Sequence, residues 1–127
     1  MFKYYNPNPG GNLVGDCVIR SIARVTNQSW REAFSGVVEV AYELLDMPSS
    51  NYVWASYLKR NGFIKKVIPN TCPDCYSVRQ FAVDNPFGTY LLGTGTHAVA
   101  VVDGDYYDTW DSGDEVPIFY FQKEDET

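Results

Sequence analysis

Apolar residues recur at helical spacing through much of the first half of the chain. Each of these stretches follows an aspartate or serine that favours a helix N-terminus, and two of the serines form capping boxes with a glutamate or glutamine. The pattern predicts four helices, which start at Cys17, Ser29, Ser50 or Asn51, and Ser77. On the second of them, the predicted inner face consists of Phe34, Val37, Val38, Ala41, Tyr42 and Leu45.

Shorter apolar runs, rich in β-branched and aromatic residues, predict strands in the rest of the chain. These runs cover residues 63–68, 89–93, 97–102, 105–110 and 118–122. Because the helices come first and most of the strands follow, we predict an α+β protein with a small antiparallel sheet. Residues 1–15, rich in Pro, Gly and Asn, are predicted to form an extended arm, and residues 123–127 a solvated acidic tail.

A tight hairpin is predicted between the third and fourth strands. The dipeptide Asp103-Gly104 supplies two residues that tolerate positive φ angles, as a two-residue type I′ turn requires. This turn pairs Val102 with Asp105 and thereby fixes which side chains share a face of the sheet.

His97, the only histidine of the chain, begins the first strand of this hairpin. In the tight-turn register, His97, Asp108 and Trp110 project from one face, with the Asp108 carboxylate diagonally across from the imidazole. A three-residue bulged loop would shift the register by one position and bring Asp111 to that face. Both registers place a carboxylate within hydrogen-bonding reach of the imidazole.

Composition narrows the functional classes. The 127 residues are enough for one domain, and 45% hydrophobic and 16% aromatic residues indicate a packed core. The net charge of -6 and the scattered Lys and Arg residues argue against nucleic-acid binding. No apolar run approaches the ~18 residues of a membrane span, and the first residues lack the apolar core of a signal peptide. We therefore expect a single cytoplasmic domain that binds no membrane.

Cys17 is predicted to lie at the N-terminus of the first helix, after Asp16 as the capping residue. The positive end of the helix dipole favours a thiolate at that position and lowers the pKa of the thiol. The free backbone N–H groups of the same turn can stabilise an oxyanion. Cys17 is therefore the candidate nucleophile.

The other two cysteines, Cys72 and Cys75, form a CxxC pair in a predicted loop. A zinc site would need two more ligands, and only Cys17 and His97 could supply sulfur or imidazole. A redox role lacks the βαβ setting in which such motifs act. We expect a loop disulfide or two idle thiols, and neither a metal nor a cofactor.

The order of these motifs resembles the papain-like cysteine peptidase superfamily, in which a helix bearing the cysteine packs on a sheet that carries histidine and then Asn or Asp. The likeness rests on Gly15-Asp16-Cys17 before a helix and on His97 at the start of a strand and hairpin. With Gly-Asp-Cys-Val-Ile-Arg and Tyr-Asp-Thr-Trp-Asp, the chain is also similar, over nearly its whole length, to short papain-like proteins of bacteriophages and gut bacteria. The resemblance implies a papain-like fold with a triad, and a phage-encoded protein would act in the bacterial host cytoplasm.

By that resemblance, Cys17 is the nucleophile, His97 the general base and acid, and Asp108 or Asp111 the group that orients the imidazole. The shared face in the tight-turn register favours Asp108. The serine after Asp111 matches the serine that follows the asparagine of papain. Both aspartates are candidates.

The oxyanion hole departs from the papain pattern. Papain-like enzymes carry a glutamine shortly before the cysteine, whereas Gly11 occupies that position here and no glutamine precedes Cys17. Asn12, or Asn6 or Asn8 folded back along the arm, could donate instead. The candidate residues of the substrate cleft are Gly15, Asp16, Thr96 and Trp110.

Three functions are compatible with these features. The first hypothesis is hydrolysis of a peptide or isopeptide bond in a specific protein, in a cleft that the small domain keeps shallow. The second is an amidase, deamidase or transglutaminase-like enzyme with the same triad. The third is an inert papain-like fold that binds a host protein. The expected partner of the first is a protein or peptide substrate.

Overall fold

Four helices and six strands build the fold in the computed structural model, which describes residues 1–124. The helices are α1 (Cys17–Val25), α2 (Trp30–Leu44), α3 (Asn51–Arg60) and α4 (Val78–Asp84). The strands are β1 (Phe2–Tyr4), β2 (Phe63–Val67), β3 (Thr89–Gly93), β4 (Ala98–Val102), β5 (Asp105–Asp108) and β6 (Phe119–Lys123). The protein is an α+β protein, as predicted. Within residues 1–124, no helix has the combination of length and apolar character that crossing a membrane demands.

The strands form one mixed sheet in the order β1-β5-β4-β3-β6-β2. Four neighbouring pairs are antiparallel. β1 runs parallel to β5, with Phe2 opposite Tyr106 and Tyr4 opposite Asp108. The predictions of a purely antiparallel sheet and of an arm from the first residue were therefore wrong. A strand of three residues is too short for an alternating pattern to reveal it.

β4 and β5 form the predicted hairpin. Asp103 and Gly104 have φ angles of 49° and 82°, as a type I′ turn requires, and Val102 pairs with Asp105. The predicted register is confirmed, because two positive φ angles at a two-residue turn leave the strands one way to pair.

The open end of this hairpin carries the candidate site residues. β4 begins at Ala98 and β5 ends at Asp108. His97 therefore precedes β4 instead of starting it, and Trp110 lies beyond β5. The imidazole and the carboxylate meet beyond the last paired residues of β4 and β5. The end of the strand pairing leaves room there for the N-terminus of α1.

Alternate residues of the central strands contribute to two hydrophobic cores, one on each face of the sheet. The larger core joins α1, α2 and α3 to one face of the sheet and includes Ile22, Val37, Leu58, Leu91, Ala100 and Phe121. The smaller core lies between α4 and the opposite face and includes Val78, Phe81, Leu92, Val99 and Tyr106. Because α1 packs on β4 within the larger core, its first residue is held beside the start of that strand.

The inner face of α2 differs from the predicted one. Its buried residues are Ala33, Val37, Val40 and Ala41. Tyr42 and Leu45, which we predicted to be inside, are 83% and 94% exposed, and Phe34 is also exposed. Leu45 caps α2 in a left-handed conformation and lies outside the helix. Small side chains face the core because they let α2 approach its neighbours closely, a preference that hydrophobicity alone does not reveal.

The C-terminal strand is longer than predicted. Lys123 ends β6 and pairs with Phe63, and the N–H of Glu124 donates to the Gly62 carbonyl over 2.8 Å. Lys123 therefore belongs to β6 and not to the predicted tail of residues 123–127, although Lys123 and Glu124 are both exposed to solvent as predicted. The last residues of that tail, 125–127, lie outside the described part of the chain.

Candidate active site

Cys17 is the first residue of α1 and is partly exposed. Asp16 occupies the N-cap position, but its side chain does not cap the helix, contrary to the prediction. Asp16 instead accepts hydrogen bonds from Arg20 Nη1 at 2.5 Å and from Trp30 Nε1 at 2.8 Å. The N–H groups of the first turn of α1 therefore receive no hydrogen bond from the N-cap side chain.

The imidazole of His97 lies between Cys17 and Asp108. Its Nε2 is 2.6 Å from Asp108 Oδ2, and the ring also interacts electrostatically with the Cys17 thiol, beside which it lines the same cleft. Since Nε2 is bound to the carboxylate, the nitrogen that faces the sulfur is Nδ1. The Trp110 ring lies 5.0 Å from the imidazole, centroid to centroid. The three side chains form a continuous chain from carboxylate to thiol.

Asp108 has no exposed side-chain surface. Its Oδ1 accepts hydrogen bonds from Arg20 Nη2 at 2.9 Å and the Thr109 N–H at 2.8 Å. Its Oδ2 accepts from Ser112 Oγ at 2.7 Å as well as contacting His97. Burial raises the pKa of Asp108, but the hydrogen bonds from His97, Ser112 and Thr109 outweigh burial and hold the pKa below its ordinary value. The carboxylate is therefore fixed in orientation and ionised.

Asp111, the other candidate for the third position, lies away from the imidazole. Its Oδ1 accepts hydrogen bonds from the Tyr106 hydroxyl at 2.6 Å and from the Gly113 N–H at 3.0 Å. Its side chain is 51% exposed and faces Arg79. The tight turn of the hairpin sets this outcome, because the bulged register that would bring Asp111 to His97 is not adopted. The structure brings Asp108, and not Asp111, to the imidazole.

The site favours a charged thiol and a charged imidazole. Burial raises the pKa of Cys17, but hydrogen bonds from His97 and the Ala98 N–H, and the positive charges of His97 and Arg20, lower it below its ordinary value. Burial lowers the pKa of His97, but its hydrogen bonds and charge interactions with Asp108 and Cys17 raise it to about 9. Between these two pKa values the pair is a thiolate and an imidazolium.

Two residues of the site were not predicted from the sequence, Arg20 and Ser112. Arg20 is 5% exposed and Ser112 is 0% exposed, and each donates to Asp108. The signal for Arg20 was a charged residue on an apolar helix, four positions after Asp16. Ser112 had been noted only as the serine that follows Asp111, and its contact with Asp108 could not be predicted because it depends on the course of the chain after β5.

Cys17 and His97 open into a cleft of about 540 Å³. This volume is typical of ligand sites. The apolar side chains of its walls are Val14, Val18, Ile19, Trp30, Phe34, Pro48, Trp54, Ala98 and Phe119. Of the predicted cleft residues, Gly15, Asp16 and Thr96 line it, while Trp110 contacts the His97 ring.

The asparagines of the arm, our candidates for the oxyanion hole, are bonded within the arm. Asn6 Nδ2 donates to the Asn12 carbonyl, and Asn6 Oδ1 accepts from the Asn8 N–H. Asn8 Oδ1 accepts from Gly10 and Asn12. The side chains of Asn6 and Asn8 are held in these bonds, the backbone of Asn12 takes part in them, and neither Asn6 nor Asn12 lines the cleft. The first turn of α1 is the donor group that does lie beside Cys17.

Cys72 and Cys75 are joined by a disulfide, so of the two outcomes expected for the CxxC pair the structure has the disulfide. Within residues 1–124, no cluster of three or more His, Cys, Asp or Glu side chains has the arrangement of a metal site. Cys17 is the free cysteine.

Comparison of the chain with protein-family models, with curated proteins and with solved structures gives no match in any of the three.

Proposed function

We propose that this protein is a cysteine-dependent hydrolase that cleaves a peptide or isopeptide bond in a specific protein. The observation that carries the proposal is the arrangement of buried Asp108, hydrogen-bonded to His97, with His97 and Cys17 side by side in the lining of an apolar cleft. The same order of a cysteine helix before a histidine hairpin supports a small papain-like fold. A buried acid, an imidazole and a thiol in this order are what nucleophilic catalysis requires.

In the first step of the proposed reaction, the Cys17 thiolate attacks the carbonyl carbon of the scissile amide. The carbonyl oxygen becomes an oxyanion, and the N–H groups at the start of α1, which the N-cap side chain does not bond, are the candidate donors to it. His97, protonated in the ion pair, gives its proton to the leaving nitrogen as the C–N bond breaks. The products are a free amine and a thioester on Cys17.

The second step returns the enzyme to its starting state. Neutral His97 takes a proton from a water molecule, whose oxygen attacks the thioester carbon. The C–S bond breaks, the acid product leaves, and Cys17 is again a thiolate beside the imidazolium. Asp108 keeps its charge throughout and holds Nε2 of the ring, so Nδ1 stays aimed at the sulfur.

The residues that line the cleft indicate which kind of substrate would fit it. Beyond Cys17 and His97, Asp16 is the ionisable residue of the lining, and it is 8% exposed and bound to Arg20 and Trp30. The walls therefore offer no free charge to a substrate carboxylate or ammonium group. A neutral segment with bulky apolar side chains next to the scissile bond matches these walls, because its burial displaces water from aromatic surfaces.

The proposal is tested with a library of peptides made from a bacterial proteome, incubated with the protein and with its Cys17→Ala variant. New N-termini, read by mass spectrometry, are expected with the wild type and absent with Cys17→Ala, because the variant has no nucleophile. Apolar residues are expected to be enriched around the cleaved bonds. No cysteine-dependent new terminus in this library would contradict the peptidase proposal.

The same experiment separates the other two hypotheses. Conversion of glutamine or asparagine to its acid without chain cleavage would indicate the deamidase chemistry instead. Unchanged peptides together with an ordinary, unactivated thiol at Cys17 would indicate an inert fold that binds a partner.

A further inference from the structure

We propose that Arg20 is a positioning residue that locks the Cys17 helix to the His97–Asp108 hairpin. This inference rests on the proposed function, since it concerns how the same thiolate is prepared. Arg20 touches neither the sulfur nor the imidazole by hydrogen bond. Its contacts are two carboxylates, one on each side of the junction between helix and sheet.

The guanidinium group spans the junction with separate nitrogens. Nη1 donates to Asp16 Oδ1 at 2.5 Å, on the residue just before Cys17, and Nη2 donates to Asp108 Oδ1 at 2.9 Å. Arg20 is 5% exposed and Asp108 has no exposed side-chain surface, so water does not compete for these bonds. Because the guanidinium group is planar and rigid, its bonds to one oxygen of Asp16 and one of Asp108 fix the distance between those oxygens. The start of α1 and the end of β5 are thereby held at one spacing.

The same bonds fix the direction of the Asp108 carboxylate. Arg20 and the Thr109 N–H occupy Oδ1, which leaves Oδ2 for Ser112 and the imidazole of His97. Rotation of the carboxylate would break the Arg20 bond in the buried junction. Arg20 therefore acts on His97 through Asp108, and on Cys17 through the position of the helix.

Asp16 balances the charge of this arrangement. A guanidinium paired with Asp108 alone would neutralise the carboxylate that His97 needs. With Asp16 as the second partner, the positive charge of Arg20 is shared between two carboxylates. Asp108 therefore keeps enough negative charge to attract the imidazolium of His97. The other oxygen of Asp16 accepts a hydrogen bond from Trp30, a wall of the cleft, so the network also anchors the substrate side of the site.

Arg24 provides a matched control one turn later on α1. Its guanidinium lies 4.4 Å from the ring centroid of Tyr107 and donates to the Tyr107 hydroxyl, on the same strand that ends in Asp108. Like Arg20, it joins α1 to β5. Unlike Arg20, it has no bond to a carboxylate of the site.

The test is the pH dependence of Cys17 alkylation by iodoacetamide in the wild type, Arg20→Met, Arg20→Lys and Arg24→Met. Arg20→Met is expected to move the pH profile of alkylation upward by about one unit, so that the rate falls up to about tenfold at pH values below the pKa of the thiol. Arg20→Lys is expected to recover only part of that rate, because one ammonium group cannot span both carboxylates. Arg24→Met is expected to keep the wild-type profile.

A double variant keeps the test decisive if Arg20→Met does not fold. Asp16→Asn with Arg20→Met removes one buried charge of each sign, and Asp16→Asn alone is its reference. The expected result is again a slowed, upward-shifted profile in the double variant relative to its reference. A wild-type profile in the folded Arg20→Met or double variant, or full recovery in Arg20→Lys, would overturn the proposal.

The outcome for the wild type separates this inference from the proposed function. If the wild-type thiol is activated and stays activated in the variants without Arg20, only the proposed role of Arg20 is contradicted. If the wild-type thiol is not activated, both the proposed hydrolase function and the proposed role of Arg20 are contradicted.

Discussion

Asp108→Ala is expected to destabilise the fold by about 3 kcal/mol, because it leaves a buried guanidinium and a partly buried imidazole without their shared partner. Arg20, His97, Ser112 and the Thr109 N–H all lose an acceptor at once. The measurement is the free energy of unfolding in urea at neutral pH. In the variant molecules that remain folded, the Cys17 thiol is also expected to be no longer activated, because no carboxylate then holds the His97 imidazole in place.

Asp111→Ala is the matched control, since it removes an aspartate three positions further along the same segment. Asp111 is half exposed, and its partners are the Tyr106 hydroxyl, the Gly113 N–H and Arg79 at the surface. Its unfolding midpoint and its Cys17 reactivity are expected to stay much closer to those of the wild type. Equal losses in both variants, or a larger loss of reactivity in Asp111→Ala, would show that the third member of the site has been misassigned.

His97→Ala is expected to slow alkylation of Cys17 by iodoacetamide about tenfold at pH 6. An ordinary thiol with a pKa of about 8.5 is only ~0.3% thiolate at that pH. Loss of the imidazolium therefore lowers the thiolate fraction at pH 6, and the greater nucleophilicity of a more basic thiolate restores part of the rate. The rate should rise less steeply with pH in the wild type than in the variant, because the imidazolium lowers the pKa of the thiol.

The labelling reports Cys17 alone when no reductant is present, because Cys72 and Cys75 are joined to each other. The unfolding midpoint of His97→Ala serves as the control for a damaged fold. Equal rates and equal pH slopes in the two proteins would mean that the imidazole does not activate the thiol.

The hairpin and the helix starts could be predicted from the sequence because their causes are local. Asp103-Gly104 determines its turn through two positive φ angles, and that turn fixes the register that brings Asp108 to His97. The Ser29 capping box is formed as predicted, with bonds in both directions between Ser29 and Glu32. Such signals need only a few neighbouring residues.

The ion-pair network could not be predicted because its partners are remote in the sequence. Arg20 and Asp108 are 88 positions apart, and no periodic pattern connects them. The same network explains the wrong prediction for Asp16. An aspartate at an N-cap position has a choice of donors, and the charged Arg20 and the Trp30 indole compete with the helix N–H groups.

The faces of the elements were harder to predict than their positions. On α2, alanine and valine form the buried stripe, and the larger Tyr42 lies outside. β1 owes its strand conformation to the neighbouring edge of β5 and not to its own residues. In both cases tertiary packing decides, and the local sequence carries little of that information.

The most direct test of the ion pair is an NMR titration of the His97 imidazole. The chain has one histidine, so its ring signals need no assignment. A midpoint of about 9 is expected in the wild type, because Asp108 and the Cys17 thiolate both stabilise the imidazolium. The midpoint should fall in Cys17→Ala, which keeps Asp108 and removes the thiolate. A wild-type midpoint near the ordinary histidine value of about 6.5, unchanged in Cys17→Ala, would contradict the thiolate–imidazolium pair on which the proposed chemistry depends.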